Sequence, residues 1–123
     1  MPQKTVLLVD DSKTLLLMEQ MILRQARYRL ITASDGAEAF ERACQEKPQL
    51  ILLDLMMPRL DGVATCRKLK SDERTRHIPV IVVTTRGESE KRDEAFQSGC
   101  DDFLTKPIAA LQLLEKVRQH LGE

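Results

Sequence analysis

Short apolar segments alternate with longer amphipathic ones along the whole chain. That alternation restricts the fold more than any other feature. TVLLVD (5–10), RLITA (29–33), LILLD (50–54), PVIVVT (79–84) and DFLT (102–105) are short and mostly rich in Val, Ile and Leu, and they read as strands. Between them lie segments with helical spacing. The first helix starts at Asp11 or Ser12, either a good N-cap, and its Leu15, Met18, Ile22 and Ala26 are expected to face the sheet. The second follows Asp35, with Glu38 in the place of a capping-box partner. The third follows Asp61-Gly62. The fourth spans about 88–97 and stops before Gly99, a C-terminal glycine cap. The fifth runs over about 109–121, with Leu114, Val117 and Leu121 on one face and with Ala109 and Ala110 where a polar cap is common.

Five strand-then-helix units with unbroken apolar central strands imply a parallel sheet buried on both faces. Right-handed crossovers then give a doubly wound α/β fold of five strands and five helices. The 123 residues suit one domain, 1–123, without an internal repeat or a dividing linker. With 42% hydrophobic and 31% charged residues, disorder is disfavoured. Lys plus Arg and Asp plus Glu both number 19, so no basic excess points to nucleic acid. No apolar stretch nears the roughly 20 residues that span a bilayer, so no membrane partner is expected. The opening MPQKTVLLVDD does not read as a signal peptide. Cys44, Cys66 and Cys100 lack metal-like spacing and read as small core or half-buried residues of a reduced, cytoplasmic protein.

In an open α/β sheet, ligands bind beyond the carboxyl ends of the strands, where strand order reverses. Strand one ends in Asp10-Asp11, strand three in Asp54, strand four in Thr84-Thr85 and strand five in Thr105-Lys106. Three clustered carboxylates raise each other's pKa, and a hard divalent cation removes the conflict. Mg²⁺ accepts such oxygens and favours phosphate as a co-ligand. Lys106 adds a point charge suited to a phosphate oxygen, and Thr84 a hydroxyl donor. A carboxylate beside Mg²⁺ and lysine is a nucleophile suited to phosphoryl transfer.

These residues carry a family resemblance. LVDDS (8–12), LLDLMMPRLDG (52–62), VVTT (82–85) and GCDDFLTKP (99–107), in this order, resemble a CheY-like response-regulator receiver domain over essentially the whole chain. The resemblance implies strand order 2-1-3-4-5 and a two-component phosphorelay. Asp54 is then the phosphoacceptor, taking its phosphoryl group from a histidine kinase or phosphotransfer protein, or from a small acyl phosphate. Asp11, Asp54 and the Met56 backbone carbonyl ligate Mg²⁺, with Asp10 assisting through water. Lys106 pairs with Asp54 and then with the phosphoryl oxygens. Thr84 and Phe103 are the switch pair, and the Lys106–Pro107 bond is cis. Met56, Thr85 and Arg86 flank the phosphoryl group and modulate it; Met56 has no group to hold an attacking water, so self-dephosphorylation is expected to be slower than with Asn there.

Blander readings stand beside these. Asp10, Asp11 and Ser12 suit helix caps, Thr84 suits any strand, and Phe103 suits a core. His77 and His120 read as isolated surface residues. An aspartyl phosphatase would need a second acid two residues after Asp54, where Met56 stands. A flavin module would need a phosphate loop where acidic VDDSKT stands. The polar fourth helix GESEKRDEAFQSG, anchored by Ala95 and Phe96, is expected to change with the fifth strand and helix on phosphorylation. The domain is then a signalling module and not an enzyme acting on an outside substrate. It binds its kinase over the first helix and its target over the face of helix four, strand five and helix five, with no direct nucleic-acid contact. A stand-alone monomer, as in chemotaxis or motility, is one form. The other is the N-terminal receiver of a longer regulator that dimerises on phosphorylation, with Asp101, Asp102 and Arg118 as candidates for cross-dimer ion pairs.

Overall fold

The computed structural model describes residues 3–55, 62–85 and 89–123. Strands β1 (Thr5–Val9), β2 (Arg29–Ala33), β3 (Leu50–Asp54), β4 (Val80–Thr84) and β5 (Asp102–Thr105) alternate with helices α1 (Lys13–Leu23), α2 (Gly36–Glu46), α3 (Gly62–Ser71), α4 (Ser89–Gln97) and α5 (Ala110–His120). The strands pair in parallel in the order β2-β1-β3-β4-β5, as the family resemblance implies. A short 3-10 turn, Arg24–Ala26, follows α1 and lies where helical spacing had extended the helix.

Successive strand side chains point to opposite faces, so each apolar strand feeds two cores. Leu7, Val9, Ile51, Leu53, Val80 and Val82 join the core with α2, α3 and α4. Val6, Leu8, Leu50, Leu52, Ile81 and Val83 join the core with α1 and α5. The chain runs outward from β1 to β2, then back over β1 to β3. That reversal puts α1 on the opposite face from α2, α3 and α4 when every crossover has the same hand.

Local caps follow the sequence closely. Ser12 caps α1 by accepting from Leu15 N at 3.3 Å. Asp35 caps α2 by accepting from Glu38 N at 2.8 Å, and Glu38 Oε1 accepts from Ser34 N at 2.6 Å, one residue beyond the N-cap that a standard capping box uses. Gly99 closes the turn after α4 with φ +105°, and α5 starts without a side-chain cap. Gly62 opens α3 hard against the end of β3: a Cβ there would lie 2.5 Å from Leu55 Cα and 2.7 Å from Asp54 O.

The buried face of α1 differs from the expectation. Leu16, Glu19 and Leu23 are buried; Ile22 and Ala26 pack half-buried against the same core, as expected, whereas Leu15 and Met18 are half-buried flanks. A glutamate in the middle of the inward stripe concealed the true face from a reading based on apolar spacing. Glu19 is only 2% exposed, and its Oε1 has no hydrogen-bond partner among the described residues. Burial, and then the charges of Asp10 and Asp54, push its pKa up from 4.5 to about 8.

Two outcomes follow from this packing. Gly62→Ala crowds the Asp54–Leu55 backbone and is expected to lower stability by roughly 1–3 kcal/mol, read from the urea midpoint. For Glu19, the folded protein keeps a proton that the unfolded chain releases near pH 4.5. Its contribution is therefore fully present below that value and is lost as pH rises towards about 8. The urea-unfolding stability of the parent without divalent ions should fall more steeply with pH than that of Glu19→Gln between about pH 4.5 and 8, by up to about 1.4 kcal/mol per pH unit. Parallel pH profiles for the two proteins would contradict a buried, protonated Glu19.

Candidate functional site

The carboxyl ends of β1, β3, β4 and β5 meet at one edge of the sheet. β1 and β3 are neighbours, with Val9 opposite Leu53, so Asp10 and Asp54 emerge side by side where strand order reverses. Both are almost fully buried. Asp11 stands exposed beside them at the entry to α1. One carboxylate oxygen from each of Asp10, Asp11 and Asp54 lies within 4.8 Å of the others. Lys106 arrives from the far side of β4 on its long stem, and its Nζ lies 3.3 Å from Asp54 Oδ2.

Backbone bonds hold this edge. Leu55 N donates to Val83 O at 3.1 Å, and Lys106 N donates to Thr84 O at 2.7 Å. The Lys106–Pro107 bond is cis, in line with the resemblance. Ser12 N donates to Asp10 Oδ1 at 2.9 Å, so Asp10 also braces the entry to α1. Its other oxygen, Oδ2, is buried without a hydrogen-bond partner among the described residues. Burial raises the Asp10 pKa to about 6; the Ser12 N–H opposes this, and the Asp54 charge adds to it.

Among the described residues, a buried carboxylate oxygen without a donor and two carboxylates beside it face one nearby ammonium. An all-oxygen donor set of this kind fits a hard divalent cation.

The structure brings Asp10, Asp11, Asp54 and Lys106 together, with Thr84 buried at the end of the adjacent β4 and Thr85 half-buried after it. Met56 and Arg86 lie outside the described residues, so the Met56 carbonyl and the flanking roles of both remain expectations from sequence. Phe103 is half-buried on the edge strand. Its ring meets Phe96 edge-on at 5.9 Å, with the Arg92 guanidinium 4.8 Å and the Lys116 ammonium 5.9 Å from its centroid. It thus couples β5 to α4 and α5.

One sequence expectation needs correction on this face. His120 is not isolated: its Nε2 lies 2.9 Å from Asp102 Oδ2, and Lys116 Nζ donates to Asp102 Oδ1 at 2.8 Å. Burial works against the charged form of Asp102, but hydrogen bonds from Lys116, His120 and Phe103 N hold its pKa below the usual range. Asp101 pairs with Lys70 at 2.8 Å. Both aspartates are thus engaged within the chain. Glu19, beneath the site, was missed altogether; its one signal was the Leu16–Glu19–Leu23 spacing, which reads as helical only if a glutamate is allowed inside.

Comparison with known proteins converges on one family. Residues 6–118 match the family described as response regulator receiver domain. The chain is 42% identical over 113 residues to the response regulator PleD of Caulobacter vibrioides, covering 92% of this chain and 25% of that protein. It is 32% identical over 120 residues to the polar-differentiation response regulator DivK of Brucella suis, covering 98% of both. The chain thus spans a quarter of the length of PleD but nearly all of DivK. Among solved structures, the receiver domain of the sensor histidine kinase PA1611 from Pseudomonas aeruginosa, with a magnesium ion coordinated in its active-site cleft, superposes with a TM-score of 0.90 at 28% identity, covering 99% of this chain and 100% of that one. The chemotaxis protein CheY4 of Vibrio cholerae gives a TM-score of 0.89 at 29% identity, covering 96% of this chain and 98% of that one. With its parallel sheet in the order 2-1-3-4-5 and its acidic edge, this chain belongs to the response regulator receiver domain family.

Proposed function

We propose that this domain is a phosphoacceptor switch of a bacterial two-component phosphorelay, with Asp54 as the acceptor. The observation that carries the reading is the convergence of three carboxylate oxygens within 4.8 Å, one of them on Asp54, which also lies 3.3 Å from the Lys106 ammonium. The Asp54 carboxylate attacks the phosphorus of a phosphohistidine or an acyl phosphate. The bond from phosphorus to the leaving nitrogen or oxygen breaks, and the leaving group departs with its electron pair. Lys106 moves its ion pair from Asp54 to a phosphoryl oxygen, and Thr84 donates its hydroxyl to another. Asp10, Asp11, Asp54 and the Met56 carbonyl are the residues that would hold Mg²⁺. Bound there, Mg²⁺ would supply a compact divalent charge that neutralises carboxylate and phosphoryl oxygens together.

The output reading rests on packing. Among the described residues of α4 only Ala95 is buried, and Phe96 remains 40% exposed. Such a helix repacks at low cost. Thr84 and Phe103 therefore act as the switch pair, relaying phosphorylation to the face of α4, β5 and α5, where a downstream protein binds. The histidine kinase or phosphotransfer protein docks over α1, where Leu17 and Met21 are exposed apolar contacts. Free Cys44, Cys66 and Cys100 suit a reducing, cytoplasmic setting.

One observation favours a second form of the same reading: the first curated relatives are much longer than this chain. In that form the chain is the receiver of a regulator with an output domain, and phosphorylation drives a homodimer. Because Asp101 and Asp102 are already paired within the chain, a dimer through this face would draw on other residues, such as exposed Leu111 and Phe96.

Treatment with Mg²⁺ and acetyl phosphate should add one phosphoryl group to the parent by intact mass, and none to Asp54→Ala. An adduct that persists on Asp54→Ala, or no adduct from either an acyl phosphate or a phosphohistidine donor, would overturn the assignment. Mg²⁺ alone should raise the thermal midpoint of the parent, by about 2.7 kcal/mol of stability at a hundredfold excess over Kd, and leave Asp11→Ala much less affected.

A further inference from the structure

Away from the acidic edge, two cysteines from distant parts of the chain share one core. Cys66 lies in the middle of α3 and is fully buried; Cys100 lies in the turn between α4 and β5 and is 7% exposed. Both side chains belong to the core cluster on the side of the sheet covered by α2, α3 and α4. Both residues also converge on one acceptor: Cys100 N donates to Ala95 O at 3.1 Å, and Cys66 Sγ lies 4.0 Å from the same oxygen.

A second contact pins the same two segments. Lys70 is four residues after Cys66 and so shares its face of α3. Its ammonium pairs with Asp101, next to Cys100, at 2.8 Å. Its stem lies against Gly99, where a Cβ would come within 3.1 Å of Lys70 Cγ. Residues 66 and 70 therefore match residues 100 and 101 across the contact. This register, and not chance proximity of two side chains, sets the cysteine pair.

The neighbouring Cys100 side chain lowers the Cys66 pKa, opposed by burial and aided by the Lys70 charge, while Cys66 and burial raise that of Cys100.

We propose that Cys66 and Cys100 form a redox modification site, which a hydroperoxide converts into an intramolecular disulfide stapling α3 to the α4–β5 turn. The thiolate of one cysteine attacks the peroxide; the O–O bond breaks, one oxygen leaves as water and the other remains on sulfur as a sulfenic acid. The second thiol attacks that sulfur, the S–O bond breaks, and a second water leaves. Two S–H bonds are lost and one S–S bond forms; the sulfurs give up two electrons and the peroxide takes them. A cellular thiol reverses the step by exchange.

The staple acts beside the one buried residue of α4. Ala95 anchors that helix and is the acceptor shared by both cysteines. Tying Cys100 to α3 fixes the C-terminal end of α4 and restricts the face it shares with β5. The proposal concerns thiol chemistry alone and stands or falls independently of phosphorylation at Asp54.

The test is hydrogen peroxide on the intact chain, followed by alkylation, intact mass and non-reducing peptide mapping. The expected product lacks two hydrogen atoms, yields a peptide linking Cys66 to Cys100, leaves Cys44 open to alkylation and returns to the parent mass with dithiothreitol. Cys44→Ala should behave as the parent, and Cys100→Ser should not form the product. Hydrogen exchange of residues 89–100 should slow by about tenfold in the oxidised form. Sulfinic or sulfonic acid on Cys66 or Cys100 without a link, a bridge to Cys44, or thiols that stay reduced while Cys44 oxidises would each overturn the proposal. The mapping uses the parent, so it decides the matter even where a cysteine variant fails to fold.

Discussion

Asp54 is held in place by the four residues before it. Leu50, Ile51, Leu52 and Leu53 are completely buried, alternately in the two cores. Each contributes about 1.5–3 kcal/mol by leaving water, and none can rotate outward without forfeiting it. The strand is paired on both sides, to β1 and to β4, so its end cannot slide. A one-residue slip would exchange every side chain between the two cores. The carboxylate at the end of β3 therefore points to one place, and every other group at the edge is arranged around it. Lys106 comes from two strands away to reach it, and Gly62 lets α3 begin almost on top of its backbone.

Holding so many carboxylates together has a cost that the rest of the fold absorbs. Asp10 and Glu19 each carry a buried oxygen without a donor among the described residues, and both have raised pKa values. Raised carboxylate pKa values of this kind cluster at functional edges. The two apolar cores, not the edge, provide the stability that makes this possible. The pattern is that of a rigid sheet carrying a polar site it would not hold on energetic grounds alone.

Stability also differs along the sheet. β1, β3 and β4 are buried throughout, whereas β5 has one buried residue and α4 one. Phe103, Phe96 and Arg92 link these weaker elements through ring contacts, and Asp102 ties β5 to Lys116 and His120 of α5. These two sparsely buried elements and α5 therefore form a connected unit. It adjoins the site through Thr84 and Thr105, which lie opposite each other on β4 and β5. The Cys66–Cys100 contact sits at the border between this unit and the rigid α3.

The sequence by itself determined the strands, the parallel sheet and the positions of Asp10, Asp11, Asp54, Thr84 and Lys106, because unbroken Val, Ile and Leu runs admit few other folds and polar residues ended each run. Helix caps were legible for the same local reason: Ser12 and Asp35 bond to groups three residues away. Tertiary structure alone decided the rest. The inward face of α1 depends on a glutamate that spacing rules treat as exposed, and its burial becomes visible only when the sheet and α5 close around it. The partners of His120, Asp101 and Asp102 lie on other elements, and surface charge in a sequence carries no address. Cys66 and Cys100 are 34 positions apart in the chain, and they meet because Lys70 and Gly99 set the register between α3 and the turn before β5. Local chemistry is written residue by residue, but a contact between distant residues exists only once packing has chosen which faces meet.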